Sequence, residues 1–370
     1  MYFSCDRDKL AEAVNVVSKA VSTHSTLPVL EGILIEAGVG IKLVGNDLEI
    51  CIEYNNESDF DIKSCGHIVL NAKMFGDIVR KLPTGTVYIE VNDENSLTNI
   101  KCGDTEFDIL GISPEDFPKT PDFEHELKFS ISQLKLKSMI RQTIFSAAVS
   151  EMKPVLTGVL FELDNDVLNT VAVDGYRLAI RTEKVEETNA QTSFVVPGKT
   201  LNELLKVLKD ENDMKVDIYV APRHIMFDFD GFKLMSRLLD GEFLNYRKII
   251  AADNNTVAMV DTRPFINSIE RAALIINNEF TKCPLHLVLE DERIKINCTT
   301  QLAKIQDVIP ADIKGNNFEI GFNYKYLLDA LRATEDDTVK IEFGTALSAC
   351  FIRPMDGDEY LYMILPVRLQ

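Results

Sequence analysis

No run of roughly eighteen apolar residues occurs in the chain, so the sequence offers no membrane-spanning helix. Its seven cysteines (5, 51, 65, 102, 283, 298 and 350) are odd in number, scattered, and include no Cys-x-x-Cys pair. That pattern predicts reduced thiols in a cytoplasm, not a disulfide framework or a zinc site. The five histidines, His24, His67, His125, His224 and His286, have no metal-ligand spacing. Neither a G-x-S-x-G elbow nor a P-loop is present, and Gly38-Val39-Gly40 with Gly45 is a poor imitation of a dinucleotide loop. Acid pairs such as Asp228 with Asp230 and Asp356 with Asp358 read as turn residues. These absences predict a protein that is not an enzyme and needs no cofactor or metal. There is also no zinc-finger spacing, basic-zipper heptad or aromatic ribonucleoprotein run, so any contact with DNA is expected to ignore sequence. The opening stretch MYFSCDRDKL meets charge before an apolar segment can form, which predicts no secretory leader. A net charge of −19 argues, at first sight, against nucleic acid altogether.

What is present is a long repeat. The stretch KPVLTGVLFELDNDVLNTVAVDGYRLAI (153–180) reads as an apolar strand, Val155 to Leu163, and an alternating run, Thr170 to Ile180, punctuated by Asp174-Gly175. Leu27-Pro28-Val29-Leu30-Glu31-Gly32 opens an earlier copy, and Cys283-Pro284-Leu285 a weaker later one. Leu30, Leu156 and Leu285 mark equivalent points, a period of about 125–130 residues, too long for a solenoid unit and right for a domain. For 370 residues the length alone suggests about two or three domains, and the repeat selects three. Linkers are expected where the pattern stops: SPEDFPKTPDFEHEL (113–127), with three prolines, and residues 241–256 around Asp253-Asn254-Asn255. Boundaries near 125 and 252 give domains 1–125, 126–252 and 253–370.

Each copy reads helix, strands, helix, strands, which is an α+β fold with antiparallel sheet and helices on one face. The first helices show apolar stripes: Leu10, Ala13, Val14, Val17 and Val21; Leu136, Ile140, Ile144 and Ala147 after an N-cap at Ser132; and Ile266, Ile269, Ala273 and Ile276 after a cap at Thr262 with Pro264 in the first turn. The second helices align on Ile78-Val79-x-x-Leu82, Leu204-Leu205-x-x-Leu208 and Leu327-Leu328-x-x-Leu331. The six expected helices (6–22, 72–82, 132–149, 198–209, 262–277 and 323–333) hold sixteen Lys and Arg against seven Asp and Glu. The strands and loops are therefore more acidic than the chain as a whole. Solvated helix faces explain such a bias, since helices tolerate Lys and Arg well. One basic face that holds phosphates, with acidic surface elsewhere, explains it as well.

At TLPVLEGILIE, KPVLTGVLFEL, VDGYRLA, LLDGEFLNYRKI and the terminal YLYMILPVRL the chain resembles the bacterial sliding clamps, the beta subunits of DNA polymerase III holoenzyme, along essentially all of its length. The resemblance implies three clamp domains per subunit, and two subunits closed head to tail into a ring around duplex DNA, helices inside and sheets outside. It implies a processivity factor that tethers the polymerase III alpha subunit, the clamp loader, other DNA polymerases and repair proteins through short motifs. Their shared pocket would comprise Leu156, Val173, Gly175, Tyr176, Arg177, Leu178, Leu244, Ile249, Asn323, Tyr326, Met363, Leu365, Pro366 and Val367. It further implies dimer contacts from Phe107 and Ile109 to Leu274 and Ile275, and phosphate contacts from His24, Lys137, Arg141, Lys153, Lys199, Lys206, Arg271 and Arg332. His24 stands where relatives usually carry an arginine that reaches toward DNA, and a histidine is mostly neutral at pH 7. Leu244 replaces a proline and Val173 a threonine, and Gln370 extends past the usual end. Two plainer readings stay open beside these: Asp174-Gly175 as a hairpin turn, and Met-Ile-Leu-Pro-Val as an ordinary last strand. The rival in another class is a three-repeat peptide-binding scaffold that never encircles DNA; it would have no reason to segregate cations onto helices.

Overall fold

Short polar side chains set the helix starts. In the computed structural model, Asp6 Oδ1 accepts the Asp8 and Lys9 amides (2.9 and 3.2 Å), Asn71 Oδ1 the Met74 amide and Asn323 Oδ1 the Lys325 amide, each relieving an amide with no partner in the first turn. The structure describes residues 1–369 apart from 93, 121–122, 150–152, 187, 189, 212, 251–253, 277–282 and 291. The expected boundary at 252 and Gln370 lie outside the described residues. Among these, six α-helices occur: α1 Arg7–Val17, α2 Ala72–Lys81, α3 Gln133–Arg141, α4 Gly198–Val207, α5 Thr262–Ile276 and α6 Tyr324–Ala333.

Several expectations shift. The helix expected from 132 to 149 stops at Arg141; Thr143 Oγ1 donates to the Met139 carbonyl (2.8 Å), and a short 3-10 turn, Ile144–Ser146, follows. Thr262 does not cap α5; its hydroxyl donates instead to the Asp336 carbonyl at 2.8 Å. The Leu-Pro-Val-Leu and Lys-Pro-Val-Leu segments are not strands. They form 3-10 turns, Pro28–Glu31 and Pro154–Thr157, because a proline at the first position lacks the amide a ladder needs and has φ preset for a helical turn. The run from Thr170 to Ile180 is two strands, Val167–Val173 and Arg177–Lys184, paired antiparallel.

The strands form four sheets in two units. One unit comprises Met1–Gln133 with Asn202–Leu238. Its five-stranded sheet runs in the order Phe60–Ser64, Tyr2–Asp6, Thr86–Val91, Leu97–Cys102, Thr105–Leu110, so the last strand is an edge. Its eight-stranded sheet joins the first repeat to the second where Ile50–Asn56 pairs with Phe232–Arg237, Ile52 opposite Leu234. Helix α1 buries Leu10, Ala13, Val14, Val16 and Val17, whereas Val21 falls beyond it and is half-buried. Gly45 is required there: a Cβ would sit 2.4 Å from the Val17 carbonyl oxygen.

The other unit comprises Leu134–Leu201 with Leu239–Gln370. Its nine-stranded sheet joins the second repeat to the third where Arg177–Lys184 pairs antiparallel with Tyr360–Ile364. A four-stranded sheet runs Lys304–Pro310, Arg293–Thr299, Leu285–Glu290, Phe318–Phe322, with Lys304–Pro310 at one edge. Helices α5 and α6 bury Phe265, Ile266, Ile269, Leu327 and Leu331 in a core shared with Leu287, Ile296, Ile341 and Tyr362. The repeats are thus three in sequence, while strand pairing ties each unit together across a repeat boundary.

Candidate functional site

The residues expected to form a pocket all belong to the second unit. The hairpin turn between Val167–Val173 and Arg177–Lys184 begins with Asp174, whose Oδ1 accepts the Tyr176 and Arg177 amides at 3.0 and 3.1 Å. Gly175 adopts φ +91°, a left-handed value that a side chain would strain. The turn reading of Asp174-Gly175 therefore holds. It leaves Tyr176 62% exposed at its tip.

Arg177 fixes this tip to α6. Its Nε donates to Asp174 Oδ2 (2.9 Å) and its Nη1 to Asp329 Oδ2 (2.6 Å). The guanidinium lies 4.6 Å from the Tyr326 ring centre and 5.5 Å from that of Phe145, and Tyr176 stacks on Tyr326 at 6.2 Å. Burial, and secondarily the Asp174 charge, raises the Tyr326 hydroxyl above its usual pKa, so the ring wall stays neutral. The C-terminal strand closes the other side: Leu178 faces Met363 in register, the Leu365 amide donates to the Tyr176 carbonyl (2.9 Å), and the Val367 amide to the Gly321 carbonyl (2.8 Å).

The third wall is the loop that follows Leu238. Tyr246 is buried among Leu160, Val173, Leu178, Leu361 and Met363. Its hydroxyl donates to Glu162 Oε2, and Arg247 grips the same carboxylate with two bonds of 3.0 and 2.9 Å while lying over the Tyr246 ring. Burial and the Glu162 carboxylate push the Tyr246 hydroxyl well above its usual range. This clasp presents Leu244 and Ile249, both exposed, to solvent.

The expected pocket residues therefore divide. Tyr176, Leu244, Ile249, Leu365 and Val367 are exposed apolar side chains, Leu156, Tyr326 and Pro366 are half-buried, the polar Asn323 is half-buried at the start of α6, and Gly175 is at the turn. Val173, Leu178 and Met363 are buried floor, 3%, 0% and 4% exposed. Sequence reasoning missed Phe145, Glu162, Asp174, Tyr246, Arg247 and Asp329. Of these, Asp174 carried a local signal as a turn residue before Gly175, and Asp329 another, three residues beyond Tyr326 on the same helix face.

Four of the eight expected phosphate contacts are committed to carboxylates. Arg141 pairs with Glu335, Lys206 with Glu203 (2.7 Å), Arg271 with Asp307 (Nε at 2.9 Å) and Arg332 with Glu270 (2.7 Å). Lys137 lies on α3, Lys199 on α4, and Lys153 is exposed. His24 is exposed on a concavity of about 510 Å³ that it shares with Lys19, Lys73 and Arg80 of the first unit. At the expected dimer contacts, Phe107 is exposed and Ile109 buried on the edge strand Thr105–Leu110, and Leu274 is 68% exposed in the last turn of α5, with Ile275 half-buried. Burial pushes the Cys5, Cys51 and Cys350 thiols up to about 12, far from a nucleophile's range. No helix is long and apolar enough to cross a membrane, among the described residues.

Three family models match in tandem: the DNA polymerase III beta subunit N-terminal domain over residues 1–121, its central domain over 130–245 and its C-terminal domain over 247–368. The chain is 36% identical to the beta sliding clamp of Halalkalibacterium halodurans, with all of both chains covered. It superimposes on the DNA polymerase sliding clamp of Bacillus subtilis with a TM-score of 0.94 at 35% identity, again over all of both chains. A sliding clamp from Pseudomonas aeruginosa bound to griselimycin aligns with a TM-score of 0.92 at 28% identity over all of both chains. Matched from end to end by three successive domain models and by relatives of equal extent, the chain belongs to the DNA polymerase III beta subunit family, the beta sliding clamps.

Proposed function

We propose that this protein is a processivity clamp: two copies close head to tail around duplex DNA and tether the replicative polymerase, the clamp loader and other replication and repair proteins. The observation that carries the reading is the full-length, three-domain likeness to clamps. Partners dock at the surface bounded by the Asp174-Gly175 turn, the Leu244–Ile249 loop and the C-terminal strand. Its exposed aliphatic and aromatic side chains suit a short extended motif that buries a few anchors. The relative that holds griselimycin supports a site for small ligands somewhere on this fold.

Two edge strands present unpaired ladder groups of the kind proteins cover: Thr105–Leu110, which carries Phe107 and Ile109, and Lys304–Pro310, which packs beside the helix that carries Leu274 and Ile275. DNA is held loosely through the helix cations. The partly exposed carboxylates paired with Arg141, Lys206, Arg271 and Arg332 compete weakly, since surface pairs contribute about 0–1 kcal/mol. The domains divide near 125 and 252, and the protein works in the cytoplasm. Solution mass tests the assembly: a dimer for the native chain, and monomers after Leu274→Ala with Ile275→Ala. A dimer that survives both changes at nanomolar concentration rejects this interface.

A further inference from the structure

The unit formed by Met1–Gln133 and Asn202–Leu238 carries a separate concavity of about 300 Å³ at one end of its eight-stranded sheet. Three pieces of chain build it: the turn at residues 46–51, the strand ends at Arg223, His224 and Arg237, and Pro118-Lys119. Lys119, Arg223 and Arg237 all line it, and none of the three makes an ion pair among the described residues. Glu49 is the lining's one carboxylate. His224 lies opposite Arg237 in the ladder and next to Arg223, so two guanidiniums stand beside one imidazole. Most other arginines of this acidic chain are paired with carboxylates, as at Arg177, Arg247 and Arg353, though Arg263 and Arg368 also make no ion pair among the described residues. Burial, then Arg237 and Arg223, hold the His224 imidazole below its usual pKa, which reports the same positive field.

One exposed apolar side chain, Leu48, lines the cavity. Leu48 is 58% exposed and adopts φ +75°, a left-handed backbone that leucine rarely holds. It is kept there by Asn46 Oδ1, which accepts its amide at 2.7 Å, and by Asp47 Oδ1, which accepts the amides of Glu49 (3.0 Å) and Ile50 (2.7 Å). The sequence thus spends a turn on displaying an aliphatic side chain beside unneutralised arginines.

We propose that this concavity is a second docking site, for an acidic extended peptide of a partner protein that carries an aliphatic side chain beside its carboxylates. Arginine forks suit carboxylates, and Leu48 with the buried Ile50 and Met235 receives the aliphatic group. A nucleic acid fits the cavity poorly: three cations gathered in one small lining do not make a stripe that tracks successive phosphates, Glu49 lines the cavity beside them, and the lining offers no Phe, Tyr or Trp for a base to stack on.

The test is a random-peptide phage selection on the full-length Leu244→Arg variant, whose first groove carries a charge at its mouth. Enriched peptides are then labelled and titrated by fluorescence anisotropy into the native protein. Enrichment of Asp or Glu next to Leu or Ile is expected. Arg223→Glu with Arg237→Glu should weaken those peptides at least about tenfold. Leu48→Gly should weaken them severalfold with an unchanged circular dichroism spectrum, and the His224 ring should titrate at higher pH once the peptide is bound. Lys119→Glu, on exposed chain outside the strands, reads out the same loss should the double variant fail to fold. A thymidine oligonucleotide should not compete. No enrichment, peptides without acidic residues, affinities indifferent to the charge reversals, or equal competition by the oligonucleotide would each overturn the proposal.

Discussion

Arg177→Ala is the sharpest probe of how the proposed docking surface is held. The side chain is 13% exposed and bridges Asp174 (15%) and Asp329 (38%). Breaking a buried pair by removing one partner costs about 3–5 kcal/mol, because a charge is left without compensation. Here the loss is smaller. Asp174 keeps its two backbone amide bonds, and Asp329 is exposed enough for water to screen it. Roughly 2 kcal/mol for the charges and ~1 kcal/mol for the contacts with Tyr326 and Phe145 give a destabilisation of about 3 kcal/mol. The same change frees the turn from α6, so the Tyr176 and Tyr326 wall must be ordered by the ligand itself. A motif peptide should bind about tenfold more weakly, or ~1.4 kcal/mol. Arg177→Lys should recover only part of both effects, since an ammonium does not span two carboxylates with a planar fork. The assay pairs urea denaturation with peptide titration, and a double-mutant cycle with Asp329→Asn isolates the coupling. An unchanged denaturation midpoint with additive single effects would refute the bridging role.

Leu244→Arg, at an exposed loop position, should weaken motif peptides by about 2 kcal/mol, some thirtyfold, with the denaturation midpoint retained. Leu178→Arg, by contrast, charges a fully buried floor and should lower the midpoint sharply, so only the first reads binding alone. Glu335→Gln with Glu270→Gln releases Arg141 and Arg332 from their pairs; filter binding across a salt series should then show tighter DNA binding and a steeper slope by about one unit per freed cation. In a thiol titration at pH 8 the exposed Cys65 should react first. Cys5, Cys51 and Cys350, with thiol pKa values raised to about 12, stay protonated and unreactive until the chain unfolds.

Local chemistry made some of this readable in advance. The stripe Ile266, Ile269, Ala273 and Ile276 is buried as its spacing predicts, and each repeat contains two helices with strands between them. What misled was local as well: Val29-Leu30 and Val155-Leu156 look like strand, yet the preceding proline has already set a helical turn. The long second-repeat helix was overcalled because Ile144 and Ala147 continue its spacing, while the Thr143 back-bond ends it. The sheets that cross repeat boundaries were beyond a single sequence, because nothing in Ile50–Asn56 names Phe232–Arg237 as its neighbour. The proposed docking surface divides in the same way. Its apolar residues came from family likeness, whereas Glu162, 84 residues from Tyr246, and Asp329, 152 from Arg177, declare themselves only in three dimensions.

Topological retention on DNA tests the central reading most directly. The protein is loaded by a clamp loader onto a nicked circle, separated from free protein by gel filtration at moderate salt, and followed after the circle is cut once. An encircling clamp should elute with the intact circle despite the weak, salt-sensitive contacts of its helices, and should run off once the DNA is linear. Equal retention on circular and linear DNA, or none on either in protein that still binds motif peptides, would contradict it and leave a peptide-binding scaffold in its place.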